Sequence, residues 1–144
     1  MANIIPDAFK LELLSGTHNF ASGGNTFKIA LYVTTLGPPY TTSSTVYSTS
    51  NEVSSSGTGY TTGGNELGGQ GVSVPGSNTA TVDFDNEVFS SVTLTSLGAA
   101  IYNSTNGSKL CLVIDFGGDK VATSGDFTIQ FPADAASTAI IQVA

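Results

Sequence analysis

Three carboxylates, Asp83, Asp85 and Glu87, are spaced by two in the run VDFDNE. On an extended strand that spacing puts all three on one face. Like charges in a row repel unless water or a cation separates them. Calcium takes several oxygen ligands of this kind, and Asn86 stands beside them as one more. The pattern differs from an EF-hand loop, which needs glycine at its sixth position. A solvated acidic rim is therefore the favoured reading, and no resident metal or other cofactor is expected.

His18 is the sole histidine. A Ser-His-Asp triad would have to be built around it, but serines are too plentiful to single one out and no G-x-S-x-G elbow is present. It reads as an exposed polar residue after a helix. Cys111 is the only cysteine, so no intrachain disulfide can form. Inside the apolar run LCLVIDF a thiol behaves as a small hydrophobe. One histidine and one buried cysteine fall short of the three or four ligands of a zinc site. The run DFGGDK, 115 to 120, contains the letters of a kinase magnesium loop without the rest of a kinase, and reads as a strand ending in a glycine turn. Tyr40, Tyr47 and Tyr60 could stack against a sugar ring, although tryptophan, the preferred platform, is absent. Asn103-Ser-Thr and Asn106-Gly-Ser fit the glycan-acceptor pattern and carry no weight without a signal peptide. No catalytic residue is expected.

The elements that would hold these residues are nearly all strands. Pro6 and Asp7 can open a short helix carrying Phe9, Leu11, Leu13 and Leu14, with Ser15-Gly16 ending it. After that the apolar period is two. Phe27, Ile29, Leu31 and Val33 alternate with polar or small neighbours, as do Ala80, Val82 and Phe84, and Phe127, Ile129 and Phe131. LCLVIDF is apolar on both faces and suggests a central strand. Pro75-Gly76-Ser77-Asn78 and Asn106-Gly107 supply turns. Adding GVSV, VFSSVTL, LGAAIYN and AIIQV gives about eight strands, with a further one possible at Thr45 to Tyr47. The expected fold is all-β: an antiparallel β-sandwich or jelly roll with a short N-terminal helix and long Ser/Thr/Gly-rich loops. Residues 1–20 form an arm and 21–144 one domain, interrupted by a low-complexity loop at 37–71. Loops of that length are usually functional or disordered. Recurring Tyr and Val anchors favour order on docking, so removal of 41–62 is expected to leave the domain folded.

Composition narrows the partners. The 144 residues carry 10% charged side chains, against about 25% in typical soluble domains. Eleven acids face four lysines and no arginine, a net charge of −7. Lys10, Lys28, Lys109 and Lys120 stand singly, so phosphate backbones are poor partners and anionic membranes are repelled. The N-terminal MANIIPDAF lacks the basic and apolar regions of a secretory signal, and no run approaches the length of a membrane span. Synthesis in the cytoplasm of the producing cell is expected.

FKLELLSGTHNF at the start, FKIALY at 27–32, NEVSSSGTGYTTGG at 51–64, VDFD at 82–85, GAAIYN at 98–103, LVIDFGGDK at 112–120 and FTIQFP at 127–132 recur in order along nearly the whole chain. Together they resemble a family of small tailed-bacteriophage virion proteins. The resemblance implies a non-enzymatic structural protein, foremost a capsid decoration (cement) protein on the outer shell. Its partner would be the major capsid protein, with self-association as a dimer or trimer covering sheet edges. A net negative charge fits the outer face, since the inner one meets packaged DNA. The protein-binding positions expected from these motifs are Phe9, Leu13, Leu14, Tyr40, Tyr47, Val53, Tyr60 and Leu67. A tail, collar or fibre-attachment component and a carbohydrate-binding host-recognition module are the alternatives.

Overall fold

The computed structural model describes residues 3–33 and 40–144. Its single helix, α1 (Asp7–Leu14), starts behind Pro6 with Asp7 in the first turn. A lone helix this short is marginal in water. It ends as expected at Ser15-Gly16, where Gly16 is left-handed at φ 76° and the Thr17 amide reaches back to the Glu12 carbonyl at 2.9 Å. Tertiary contacts hold it: Phe9 is buried, whereas Leu14 is 88% exposed.

The rest is mostly β, in two antiparallel sheets. The strands are β1 (Phe27–Tyr32), β2 (Asn65–Glu66), β3 (Gly71–Gly76), β4 (Thr79–Asp83), β5 (Glu87–Asn103), β6 (Lys109–Ile129) and β7 (Ile141–Val143). One sheet has the order β2-β1-β5-β6 and the other β3-β4-β7. The count is seven because two pairs of expected strands are continuous and the short β2, at Asn65–Glu66, was not expected. VFSSVTL and LGAAIYN run on as β5, bulged near Ser91 (φ 55°). LCLVIDF and FTIQF run on as β6. DFGGDK therefore does not end a strand. The register steps from Gly98↔Asp115 to Ser96↔Lys120, and the surplus residues loop out as a bulge at Gly117 (φ 75°) and Gly118 (φ 149°). Thr45 to Tyr47 forms a single bridge, Val46↔Lys109. The Ser77-Asn78 turn joins β3 to β4, with Asn78 left-handed at φ 67°.

The four-stranded sheet is buried on both faces over its β1 end. On one face Phe27, Ile29, Leu31, Ala99 and Ile101 join Phe9, Phe20, Val82, Phe84 and Ile141 in the core between the sheets. On the other, Ala30, Tyr32, Ala100, Tyr102 and Leu110 lie under Tyr40, Tyr47 and Ile4. That is why residues 98–103 of β5 are all buried while 87–97 largely alternate. LCLVIDF, expected to be central, is on the sheet edge. Its second covered face and its edge both come from irregular chain. Ile4 bridges Val113 through bonds of 2.9 and 2.8 Å, and the Leu110 amide reaches the Thr45 carbonyl at 3.0 Å. The N-terminal arm and the polar loop thus cover an edge that an apolar strand would otherwise leave open to pairing with other chains.

Candidate functional site

The polar loop is ordered by its own sheet. Tyr40, Val53, Tyr60 and Leu67 are 1–4% exposed, and Tyr47 is half-buried, its ring stacked on Tyr102 at 4.5 Å. Tyr40, Val53, Tyr60 and Leu67, and Phe9 in the arm, are core residues of this chain, and Tyr47 packs against the core from its half-buried place. Positions 37–39 of the expected loop lie outside the described residues. Removing 41–62 would strip Val53 and Tyr60 from one core and Tyr47 from the other, so the domain is not expected to survive that deletion.

Glu52 organises this region. Its Oε1 accepts from the Tyr60 hydroxyl at 2.6 Å and the Gly63 amide at 2.7 Å, and its Oε2 accepts from the Tyr47 hydroxyl at 2.5 Å. The Tyr102 hydroxyl donates to the Gly63 carbonyl at 2.7 Å. Tyr32 and Tyr40 pair through their hydroxyls at 2.6 Å above the Ser48 carbonyl. The five tyrosines of the chain thus fall into two hydrogen-bonded groups, Tyr47, Tyr60 and Tyr102 around Glu52 and Gly63, and Tyr32 with Tyr40 at Ser48. Burial first, and the Glu52 charge second, pushes the Tyr102 phenol up to about 12. Burial first, and the hydrogen bond to Glu52 second, push Tyr47 and Tyr60 well above the ordinary phenol value. The sugar-stacking faces expected at Tyr40 and Tyr60 are consequently inside the protein. The loop then takes a strand's place beside the outer half of β5, where the Thr93 amide reaches the Thr58 carbonyl at 2.8 Å. Sequence reading passed over Glu52. Its signal was being the one acid between Glu12 and Glu66, flanked by Tyr47 and Tyr60.

His18 is buried and not exposed. It sits among Phe9, Phe20 and Phe27, with ring centroids 5.1–6.4 Å away. Asn103 Nδ2 lies 3.0 Å from His18 Nδ1, and Glu12 Oε2 lies 2.9 Å from Nε2. An amide nitrogen can only donate, so Nδ1 accepts and the ring proton is on Nε2, given to Glu12. Lys109 holds the other Glu12 oxygen at 2.7 Å. Burial opposes the Glu12 charge, but Lys109 and His18 outweigh it and keep the carboxyl below its ordinary value. Cys111 Sγ is 3.9 Å from His18 Nδ1. Cysteine, histidine, asparagine and glutamate side by side have the letters of a thiol nucleophile site. The geometry opposes that chemistry: the Nδ1 lone pair that would take the thiol proton is engaged by Asn103, and burial, then the Glu12 charge, pushes the thiol up.

The three spaced carboxylates do not share a face. The chain leaves β4 after Asp83 and enters the other sheet at Glu87. Asp85 packs its carboxylate over Gly69, and Glu87 accepts from Asn65 Nδ2 at 2.7 Å. Among the described residues, no group of three or more His, Cys, Asp or Glu is placed to hold a metal ion. Asp134, outside every expected motif, accepts from Thr81 Oγ1 and from Ser73 Oγ at 2.7 Å, fastening the C-terminal segment to the three-stranded sheet. Those bonds, Thr81 first, hold its carboxyl below the usual range.

The accessible apolar surface lies elsewhere. An open cleft of about 850 Å³ runs along the outer edge of β6, between the arm and the C-terminal segment, lined by Ile5, Ile114, Phe116, Val121, Phe131 and Ile140. Among the described residues nothing pairs with that edge beyond Asp115. Among the described residues, Lys120 and Asp126 are its only ionisable side chains. A smaller cleft of about 370 Å³ is lined by Leu13, Leu14, Phe20, Val72, Val82 and Val143. Leu13 and Leu14 are thus the expected contact residues that stay within reach of a partner. Among the described residues, no helix is long and apolar enough to cross a membrane. No family model, no curated protein and no solved structure matches the chain.

Proposed function

We propose that this protein is a non-enzymatic virion structural protein of a tailed phage, a capsid decoration protein that binds the major capsid protein on the outer shell and bridges neighbouring subunits. The observation that carries the reading is the open apolar cleft along the outer edge of β6, where among the described residues nothing pairs beyond Asp115, on a domain whose buried polar side chains among the described residues all have partners. A sheet edge next to apolar pockets can accept an extended segment of a partner, main-chain bonds supplying affinity and the pockets selectivity. Val121 is 67% exposed on the cleft wall, and Leu14 marks a second patch. The motif resemblance supplies the virion context, and the low charge suits a surface largely covered in an assembly. A jelly-roll ancestry for the two sheets belongs to the same reading.

The test is loading of purified protein onto shells that lack it. Val121→Glu should fold and fail to load, because a carboxylate would be buried unpaired in the contact. Ser55→Glu, on the exposed outer surface of the polar loop, should load like the wild type. Copy number on purified particles separates the alternatives: hundreds of copies mean shell, a dozen or so mean tail or collar. A full complement of V121E on the shell would refute the assignment of the cleft.

A further inference from the structure

His18 joins three separate parts of the chain at one buried point. Asn103 is fixed in orientation by four hydrogen bonds. Its Oδ1 accepts from the Thr105 and Asn106 amides at 3.1 and 3.2 Å, and its Nδ2 donates to Asn25 Oδ1 at 2.9 Å and to His18 Nδ1 at 3.0 Å. Turning the amide over would set its nitrogen against two backbone donors. A second proton on the ring, at Nδ1, therefore points at an amide that can only donate. The remaining neighbour there is Cys111 Sγ at 3.9 Å, a weak acceptor.

The charge balance favours the same state. The ionisable groups facing the ring are Glu12 from α1, Lys109 from β6 acting through Glu12, and Cys111 from β6. β5 and the 17–25 segment present only the neutral Asn103 and Asn25. With a neutral ring, Glu12 and Lys109 cancel. With a charged ring, the site holds one uncompensated positive charge whose only carboxylate is already shared at 2.7 Å. Burying such a charge is costly.

We propose that His18 is a proton-operated latch fastening α1 and the 17–25 segment to the β5–β6 end of the sheet, closed when the ring is neutral and opened by its second proton. Opening frees the Glu12–Lys109 pair and bares Phe9 and Phe20, turning a docked helix into an arm available to another surface. This goes beyond the shell-binding reading and stands on the domain alone.

The sole histidine makes the test clean in the intact chain. Nitrogen NMR of the ring at about pH 8 should show the Nε2–H tautomer. On acidification the imidazolium should appear in step with loss of protection at α1 amides, while β1 and β5 stay protected. Wherever the open ring is protonated and the closed ring is not, an opening that takes up one proton grows about tenfold per pH unit, and protection factors in α1 should fall by that ratio. His18→Asn, which keeps an acceptor towards Asn103 and cannot titrate in this range, should abolish the step. Asn103→Asp supplies a carboxylate opposite Nδ1 and should keep α1 docked at the lower pH. An imidazolium that forms with α1 still fully protected, or a His18→Asn chain whose helix is released at the same pH, overturns the latch.

Discussion

The Tyr60 hydroxyl lies 2.6 Å from Glu52 Oε1 and 3.0 Å from the Leu31 amide nitrogen, so one phenol joins the polar loop to β1. It donates to the carboxylate and accepts from the strand. Tyr60→Phe keeps the ring against Phe89 and removes both bonds, leaving a buried backbone donor unpaired. We expect a loss of about 1–3 kcal/mol in chemical denaturation, with faster amide exchange across 52–64. Unchanged exchange in that loop would mean that other contacts order it.

Two glycines in the same loop have nearly the same backbone and opposite surroundings. Gly57 and Gly64 are both left-handed at φ 71°. A Cβ at Gly57 meets nothing, whereas one at Gly64 would fall on the Ile29 carbonyl. Gly57→Ala should cost only the conformational term, about 1–2 kcal/mol. Gly64→Ala has to displace the loop from β1 and should cost well beyond that. Thermal melting of the pair separates backbone strain from close approach, and equal losses would contradict the observed packing.

Much of the scaffold was legible in the sequence, and the losses share a cause. Alternation in FKIALYV marks β1 through Phe27, Ile29 and Leu31, although Ala30 and Tyr32 on its other face are buried as well; in TATVDF Val82 turns inward as read while Ala80 is exposed and Thr81 buried; and Gly16 marks the end of α1 because a left-handed residue closes it. The bulges of β5 and β6 look like turns to a local reading, since glycine or serine at positive φ serves both. Whether a strand continues through them is decided by its partner across the sheet. LCLVIDF reads as central because two-sided burial has the same signature whether a strand or an irregular arm supplies the cover. Of the positions expected to bind a partner, Leu13 and Leu14 line the smaller cleft. The tyrosines instead pack against the chain's own sheet, which the sequence does not reveal because a polar run that folds back on its own sheet has the same composition as one that waits for a partner. What distinguishes the two here is Glu52, a carboxylate with three donors from the chain itself.

The buried tyrosines make the fold sensitive to alkali. All five phenols are raised, Tyr102 to about 12 and the others in the same direction, chiefly by burial. The unfolded chain loses these protons near pH 10, before the folded one does. Stability from this source is therefore complete below about pH 10 and declines as pH rises towards and through the folded values. Tyrosinate absorbance should appear late and in step with loss of near-ultraviolet circular dichroism. Early, gradual ionisation without unfolding would show that the hydroxyls are open to water.

The thiol of Cys111 should be inert in the folded protein. It is buried beside Glu12, and both burial and that negative charge disfavour the thiolate which thiol reagents require. The neighbouring imidazole cannot help, because its Nδ1 lone pair accepts from Asn103. Labelling must then wait for opening of the domain, and in a domain of ordinary stability that slows the reaction by about 10³-fold or more relative to the unfolded chain. A disulfide-exchange reagent added with and without denaturant measures the ratio directly. Asn103→Ala is the informative comparison: it frees Nδ1, so labelling that accelerates well beyond the loss of global stability would show that the asparagine, and not burial alone, keeps the thiol and imidazole from acting as a pair. Labelling that tracks stability in both proteins would assign the protection to burial.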